Sequence, residues 1–134
     1  MLLLLGLLLA LLFGPLGGAV ARAPVGVAAK PPALSRVIHL NGILIDKYCA
    51  DIAIASHDGL LPVVHQKACI LLEKPCIQSG LGVIQGDHFY PFSPAANRRM
   101  ITAVRRSKRA DDLTISVTGN WNGQTLSVTT YHWR

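Results

Sequence analysis

The stretch from His65 to Gly82, HQKACILLEKPCIQSGLG, constrains this chain more than any other. It holds two of the three cysteines and one of the five histidines, and a proline stands between the two thiols. Pro75 lacks an N–H and its ring clashes with the preceding turn, so one continuous helix through the stretch is excluded. Pro62 suits a first helical position, and Val63, Val64, Ala68, Ile70, Leu71 and Leu72 give the segment an apolar majority. The spacing therefore predicts a helix from Pro62 that stops near Lys74. Pro75 then opens a second short turn, which Gly80 closes as a C-terminal glycine. Cys69 and Cys76 ride on this kinked excursion, and Cys49 lies upstream in the segment DKYC.

The flanking sequence reads mainly as strands. Arg36 to Asp46, RVIHLNGILID, is rich in β-branched and apolar residues, and Gly42 predicts a bend or bulge within it. Residues 48–51 leave the strand end, and Ile52 to Gly59 closes on the loop signal SHDG. Beyond Leu81 come LGVIQ, a turn at Gly86-Asp87, and HFYPF, where Pro91 marks an edge or a strand end. Ser93 as N-cap and Pro94 at the first position start a helix that runs to Ser107. Its Ala96, Met100, Ala103 and Val104 share one face, with Arg98, Arg99, Arg105 and Arg106 on the other. Residues 113–118 and 125–131 alternate as two strands around a turn at 119–123. The order is strand, helical insert, two strands, helix, two strands. That order fits a mainly β fold, a five-stranded OB-like Greek-key barrel with a Cys-bearing helical insert after strand one. Closure of such a sheet removes exposed edges, which suits a small domain.

With 134 residues the chain has room for one domain. Leu2 to Phe13 form an apolar run, Gly14-Pro15 breaks it, and Ala19-Val20-Ala21 supplies the small-x-small pattern of a cleavage site. Residues 1–21 are thus expected to be a signal peptide, 22–35 a Pro-rich flexible tether and 36–134 the domain. The expected location is exported, periplasmic or secreted. No Lys or Arg follows Met1 before Arg22, so the alternative is a membrane anchor through residues 2–21.

The net charge of +6 lies wholly outside the leader, and a basic exported domain is drawn to anionic surfaces or an envelope component. Arg98, Arg99, Arg105 and Arg106, with Tyr90 and Trp121, are the candidate ligand surface. OB folds often bind single strands through aromatic platforms in a basic groove, yet export weighs against nucleic acid as the partner. Membrane is a partner only if the leader is retained.

Three cysteines cannot all pair within one molecule. In an oxidising compartment the expectation is one disulfide, from Cys49 to Cys69 or Cys76, and one remaining thiol. Such a bridge typically contributes about 2–4 kcal/mol and would pin the insert to the first strand. The alternative is a Cys/His metal site. His65 and Cys69, four apart, would share a helix face, and Cys49 or Cys76 would complete a set for Zn2+ or Cu+. No paired C-x2-C or second H-x3-H accompanies them. A third reading is a redox thiol at Cys76, where the start of a short helix would favour the thiolate, with His65 or His57 as a base. Without C-x-x-C or a nucleophile elbow, catalysis is not expected, and Asp46 and Asp51 read as residues that cap or solvate the loop around Cys49.

These motifs resemble a group of small exported bacterial proteins. The likeness lies in Gly42, Asp46 and Cys49; in His65, Cys69 and Cys76; in Ser79, Gly80, Gly82 and Val83; and in Val117 to Gly119 with Gly123 to Val128. It covers most of residues 40–131. The resemblance implies an exported OB-like domain and brings no established activity. The expected role is non-catalytic, binding or structural, in the cell envelope.

Overall fold

The computed structural model describes residues 34–57 and 59–134, so the expected leader and nearly all of the tether lie outside the described residues. The first strand, β1 (Arg36–Asp46), is followed by four short helices: α1 (Lys47–Ser56), α2 (Leu61–Val64), α3 (Lys67–Leu72) and α4 (Lys74–Ser79). Strands β2 (Leu81–Gln85) and β3 (His88–Pro91), helix α5 (Pro94–Arg106), and strands β4 (Thr114–Trp121) and β5 (Leu126–Trp133) complete the order. The expected strands and the arginine-bearing helix are present. Among the described residues, no helix is long and apolar enough to cross a membrane.

The strands form one antiparallel sheet in the order β3-β2-β1-β4-β5. β1 is central because its eleven residues serve two partners: Ile43 to Asp46 pair with β2, and Arg36 to Ile43 pair with β4. The period-two alternation of β1 sends Leu40 and Leu44 to one face, where they join Val83, Ile115, Val117, Leu126 and the buried face of α5. That helix buries Ala96, Met100, Ala103 and Val104, as its spacing predicts, and Ser93 caps it by accepting from the Ala96 amide. Ile45 points to the other face and builds a second, smaller core with Cys49, Ala50, Ala53, Cys76 and Ile84. The insert spans both cores, since Ile70 of α3 belongs to the first and Cys76 of α4 to the second.

Three local expectations are corrected. Residues 47–56 are helix α1 and not a loop, because Asp46 caps its first turn and small residues at 50 and 53 let it lie flat on β1 and β2. That helix ends at His57, whose left-handed φ of 53° takes its amide back to Ala53 and Ile54. The helix expected from Pro62 to Lys74 is two helices, because His65 (ψ 124°) and Gln66 (ψ 147°) are extended between α2 and α3. The last hairpin turns later than expected, at Asn122 to Thr125, where the Asn122 side chain accepts from the amides of Gln124 and Thr125. Gly119 and Trp121 therefore belong to β4, with a bulge between Thr118 and Gly119.

Gly42 marks a close approach of β2 to β1. A Cβ there would lie 2.2 Å from the carbonyl oxygen of Ile84, a backbone atom that cannot step aside without breaking the pairing. Gly42→Ala is predicted to lower unfolding free energy by about 1–3 kcal/mol in denaturant titration. Gly59→Ala, where a Cβ meets nothing within 4 Å, should leave the midpoint nearly unchanged.

Candidate metal centre

The site begins where β1 becomes α1. Asp46 is the last residue of the strand and the N-cap of the helix, and its Oδ1 accepts from the Cys49 amide at 2.9 Å. This bond satisfies one of the unpaired amides of the first turn and fixes where the Cys49 side chain leaves the helix. The far end of the insert is tied to the same turn. The Lys47 amide donates to the Gly80 carbonyl at 2.8 Å and the Tyr48 amide to Ser79 Oγ at 3.1 Å, while Ser79 Oγ donates to the Cys76 carbonyl at 3.0 Å. Helix α4 is thereby held against the start of α1. Helix α3 is held from outside, by the Lys67 amide donating to the Ala110 carbonyl at 2.8 Å.

These restraints bring all three sulfurs together. Cys49 Sγ is 3.9 Å from both Cys69 Sγ and Cys76 Sγ, and Cys69 Sγ is 3.0 Å from Cys76 Sγ. All three are free thiols, and the shortest separation joins the two cysteines of the insert, whereas the expected bridge starts from Cys49. A carboxylate oxygen of Asp46 belongs to the same group, and the four donor atoms lie within 4.8 Å of one another. Asp46, Cys49 and Cys76 are buried and Cys69 is half-buried, so any approach from solvent is by way of Cys69.

His65 stands behind the carboxylate. It does not share a helix with Cys69, because the extended backbone at 65–66 separates them, and it is not among the clustered donors. Its Nε2 is 2.8 Å from Asp46 Oδ2, with both side chains almost wholly enclosed. The contact has ion-pair distance without the alignment of a good hydrogen bond, and Nδ1 has no hydrogen-bond partner among the described residues.

Burial alone would raise the Asp46 carboxyl, but the His65 ring and the Cys49 amide together hold it below the ordinary carboxylate range. The thiols move the other way. Burial, then the negative charge of Asp46, pushes Cys49 up to about 12. Burial, then the contact with Cys69, pushes Cys76 well above the ordinary thiol range. The activated Cys76 thiolate expected at a helix start is therefore reversed, since α4 has only six residues and encloses the sulfur. Two buried thiols that resist ionisation, a third sulfur beside them and a fixed carboxylate form a donor set that a cation would convert to thiolates.

Asp46 is the donor that sequence reading treated only as a cap. The signal for it was its place at the end of an apolar strand, three residues before a cysteine. Asp51 is solvated and pairs with Lys47 at 2.5 Å. The candidate ligand surface divides. Tyr90 and Trp121 pack edge to face at 5.4 Å, and Tyr90 lines a depression with Arg36, Ile38 and His88. Arg99 and Arg106 instead line a groove with Tyr131 and Trp133, and Arg98 and Arg105 line neither. No protein-family model, curated protein or solved structure matches this chain.

A thiol raised by folding contributes stability that is present below the ordinary thiol range and lost as pH rises towards the folded value. In metal-free, reduced protein, iodoacetamide at neutral pH is predicted to label Cys69 first, as the most exposed sulfur, with Cys49 and Cys76 reacting only at strongly alkaline pH or on unfolding. Peptide mapping after timed alkylation checks this. Rapid labelling of Cys76 at neutral pH would contradict it.

Proposed function

We propose that this chain is a small exported domain that holds one soft or borderline metal ion, zinc first, on Cys49, Cys69, Cys76 and Asp46, in a non-catalytic role. The observation that carries this reading is the spacing of the sulfurs. A tetrahedral ion with metal–sulfur bonds of about 2.3 Å sets its sulfur ligands about 3.8 Å apart, whereas a disulfide requires about 2.05 Å. Two of the three edges are 3.9 Å, and the third, 3.0 Å, needs to open by less than an ångström. The carboxylate oxygen supplies a fourth donor of a type that zinc accepts and Cu+ does not favour, so Cu+ would use the sulfurs alone. Four protein donors leave no open position for a reacting water, which suits a structural or sequestering site.

The fold reading that accompanies this proposal is an OB-like Greek key. In its support, β4 returns to lie beside β1 in the order β3-β2-β1-β4. A single parallel bridge, Phe92 to Leu126, also brings the chain after β3 to the start of β5. Export is supported by the apolar leader and its cleavage pattern. A second reading, a dithiol that cycles with a disulfide, is favoured by the 3.0 Å separation of Cys69 and Cys76.

Purification under reducing, chelator-free conditions followed by elemental analysis and native mass spectrometry tests the proposal. The expected result is one zinc or copper ion per chain, lost in each of Cys49→Ser, Cys69→Ser and Cys76→Ser. Asp46→Asn should weaken retention about 10–100-fold in chelator competition, the usual cost of disturbing a metal's ligand environment. A metal-free protein with three reduced thiols that takes up no ion would overturn the reading. A Cys69–Cys76 disulfide in protein purified without reductant would support the second.

A further inference from the structure

The groove between α5 and β5 shares no residue with the cysteine cluster. Arg99, Thr102, Ala103 and Arg106 fall on one stripe of α5 at spacings of three and four, and Tyr131 and Trp133 face that stripe from β5. The space they enclose is about 420 Å³, within the range of small-ligand sites. Ser107 adds a hydroxyl at one end.

Its charge is uncompensated. No carboxylate lines the groove, and neither Arg99 nor Arg106 has an acidic partner among the described residues. Arg99 is held in place all the same, by donating from Nη2 to the Thr129 carbonyl at 3.1 Å and by lying 5.8 Å above the Tyr131 ring. Arg106 is not needed to neutralise the end of α5. Lys67 already donates to the carbonyls of Arg105 and Ser107 at 3.1 and 2.7 Å, the groups a helix C-terminus leaves open. Tyr131 and Trp133 meet edge to face at 6.1 Å, and both are half-buried, so each keeps part of its ring in solvent. A fixed guanidinium, a free one and two half-exposed rings make a combination that grips an oxyanion and covers a flat apolar body at once.

We propose that this groove binds a small organic anion in which a carboxylate or phosphate is carried on a ring. Arg99 and Arg106 take the oxyanion, Thr102 and Ser107 take neighbouring polar groups, and Trp133 and Tyr131 cover the ring. The anion is an acidic sugar unit or a nucleoside monophosphate, two sources of the same chemistry.

Isothermal titration of the full chain with glucuronate disaccharide, with a nucleoside monophosphate and with inorganic phosphate, alongside Trp133 fluorescence, tests the assignment. At least one ring-bearing anion should bind, perturb Trp133, and lose about tenfold or more in affinity in Arg106→Ala, a contact to a charged group. Arg106 is exposed and its side chain has no partner among the described residues, so its removal leaves folding intact, and Arg98→Ala on the same helix but outside the groove should bind as wild type. Preference for the sugar acid or for the nucleotide identifies the source. Inorganic phosphate binding as tightly as both ring-bearing anions, or equal losses in Arg98→Ala and Arg106→Ala, would overturn the proposal, as would absence of binding by all three probes.

Discussion

The carboxylate of Asp46 is the contact on which the insert depends. One oxygen ends β1 and starts α1 by accepting the Cys49 amide, while the other faces His65 from inside a closed environment. A single buried charge therefore sets the direction of a helix, the position of a thiol and the placement of a histidine brought in from a separate loop. A buried carboxylate without such partners would be costly or would take up a proton. Here the neighbours hold it ionised, and burial, with that negative charge added, raises Cys49 and Cys76 around it. Cys49 and Cys76 are therefore poor in thiolate on their own, and a bound cation would reverse that.

The helices show what an ion at this place would do for the fold. α2, α3 and α4 have four, six and six residues, far below the length at which a helix is stable in water by itself. Their order comes from tertiary ties: the strand-end cap, the bonds of Lys47 and Tyr48 to Gly80 and Ser79, and the anchoring of Lys67 to Ala110. The three sulfurs lie where these ties converge, on α1, α3 and α4. Joining them through one ion would lock the insert to the central strand without demanding the short S–S contact of a disulfide. The sheet supplies the rigid side of that clamp, because β1 is paired on both edges.

Local chemistry made most of the strands and α5 legible in the sequence. Apolar and β-branched content with turn signals placed β1 and β2, alternation placed the final pair, Ser93-Pro94 marked the start of α5, and the spacing of Ala96, Met100, Ala103 and Val104 gave its buried face. What could not be read depended on partners distant in sequence. α1 looked like a loop because its buried residues are small and its cap is the last residue of a strand. His65 and Cys69 looked like a helical pair, but two extended residues break the helix and turn the ring towards Asp46. Likewise, the arginines of α5 could be assigned to a surface, yet only the pairing of β5 beside β4 decides that Tyr131 and Trp133, and not Tyr90 and Trp121, stand opposite Arg99 and Arg106. The three cysteines do come together, and Asp46, which lies among them, was hidden by its second role as a cap.

The account stands on a cation held jointly by three sulfurs and one carboxylate oxygen. X-ray absorption at the metal edge of the zinc-loaded protein measures that coordination directly. It should give three sulfur neighbours at about 2.3 Å and one oxygen at about 2.0–2.2 Å. A shell with one sulfur or none, or one dominated by nitrogen, would contradict the account and leave the cluster as three buried thiols around a capped helix.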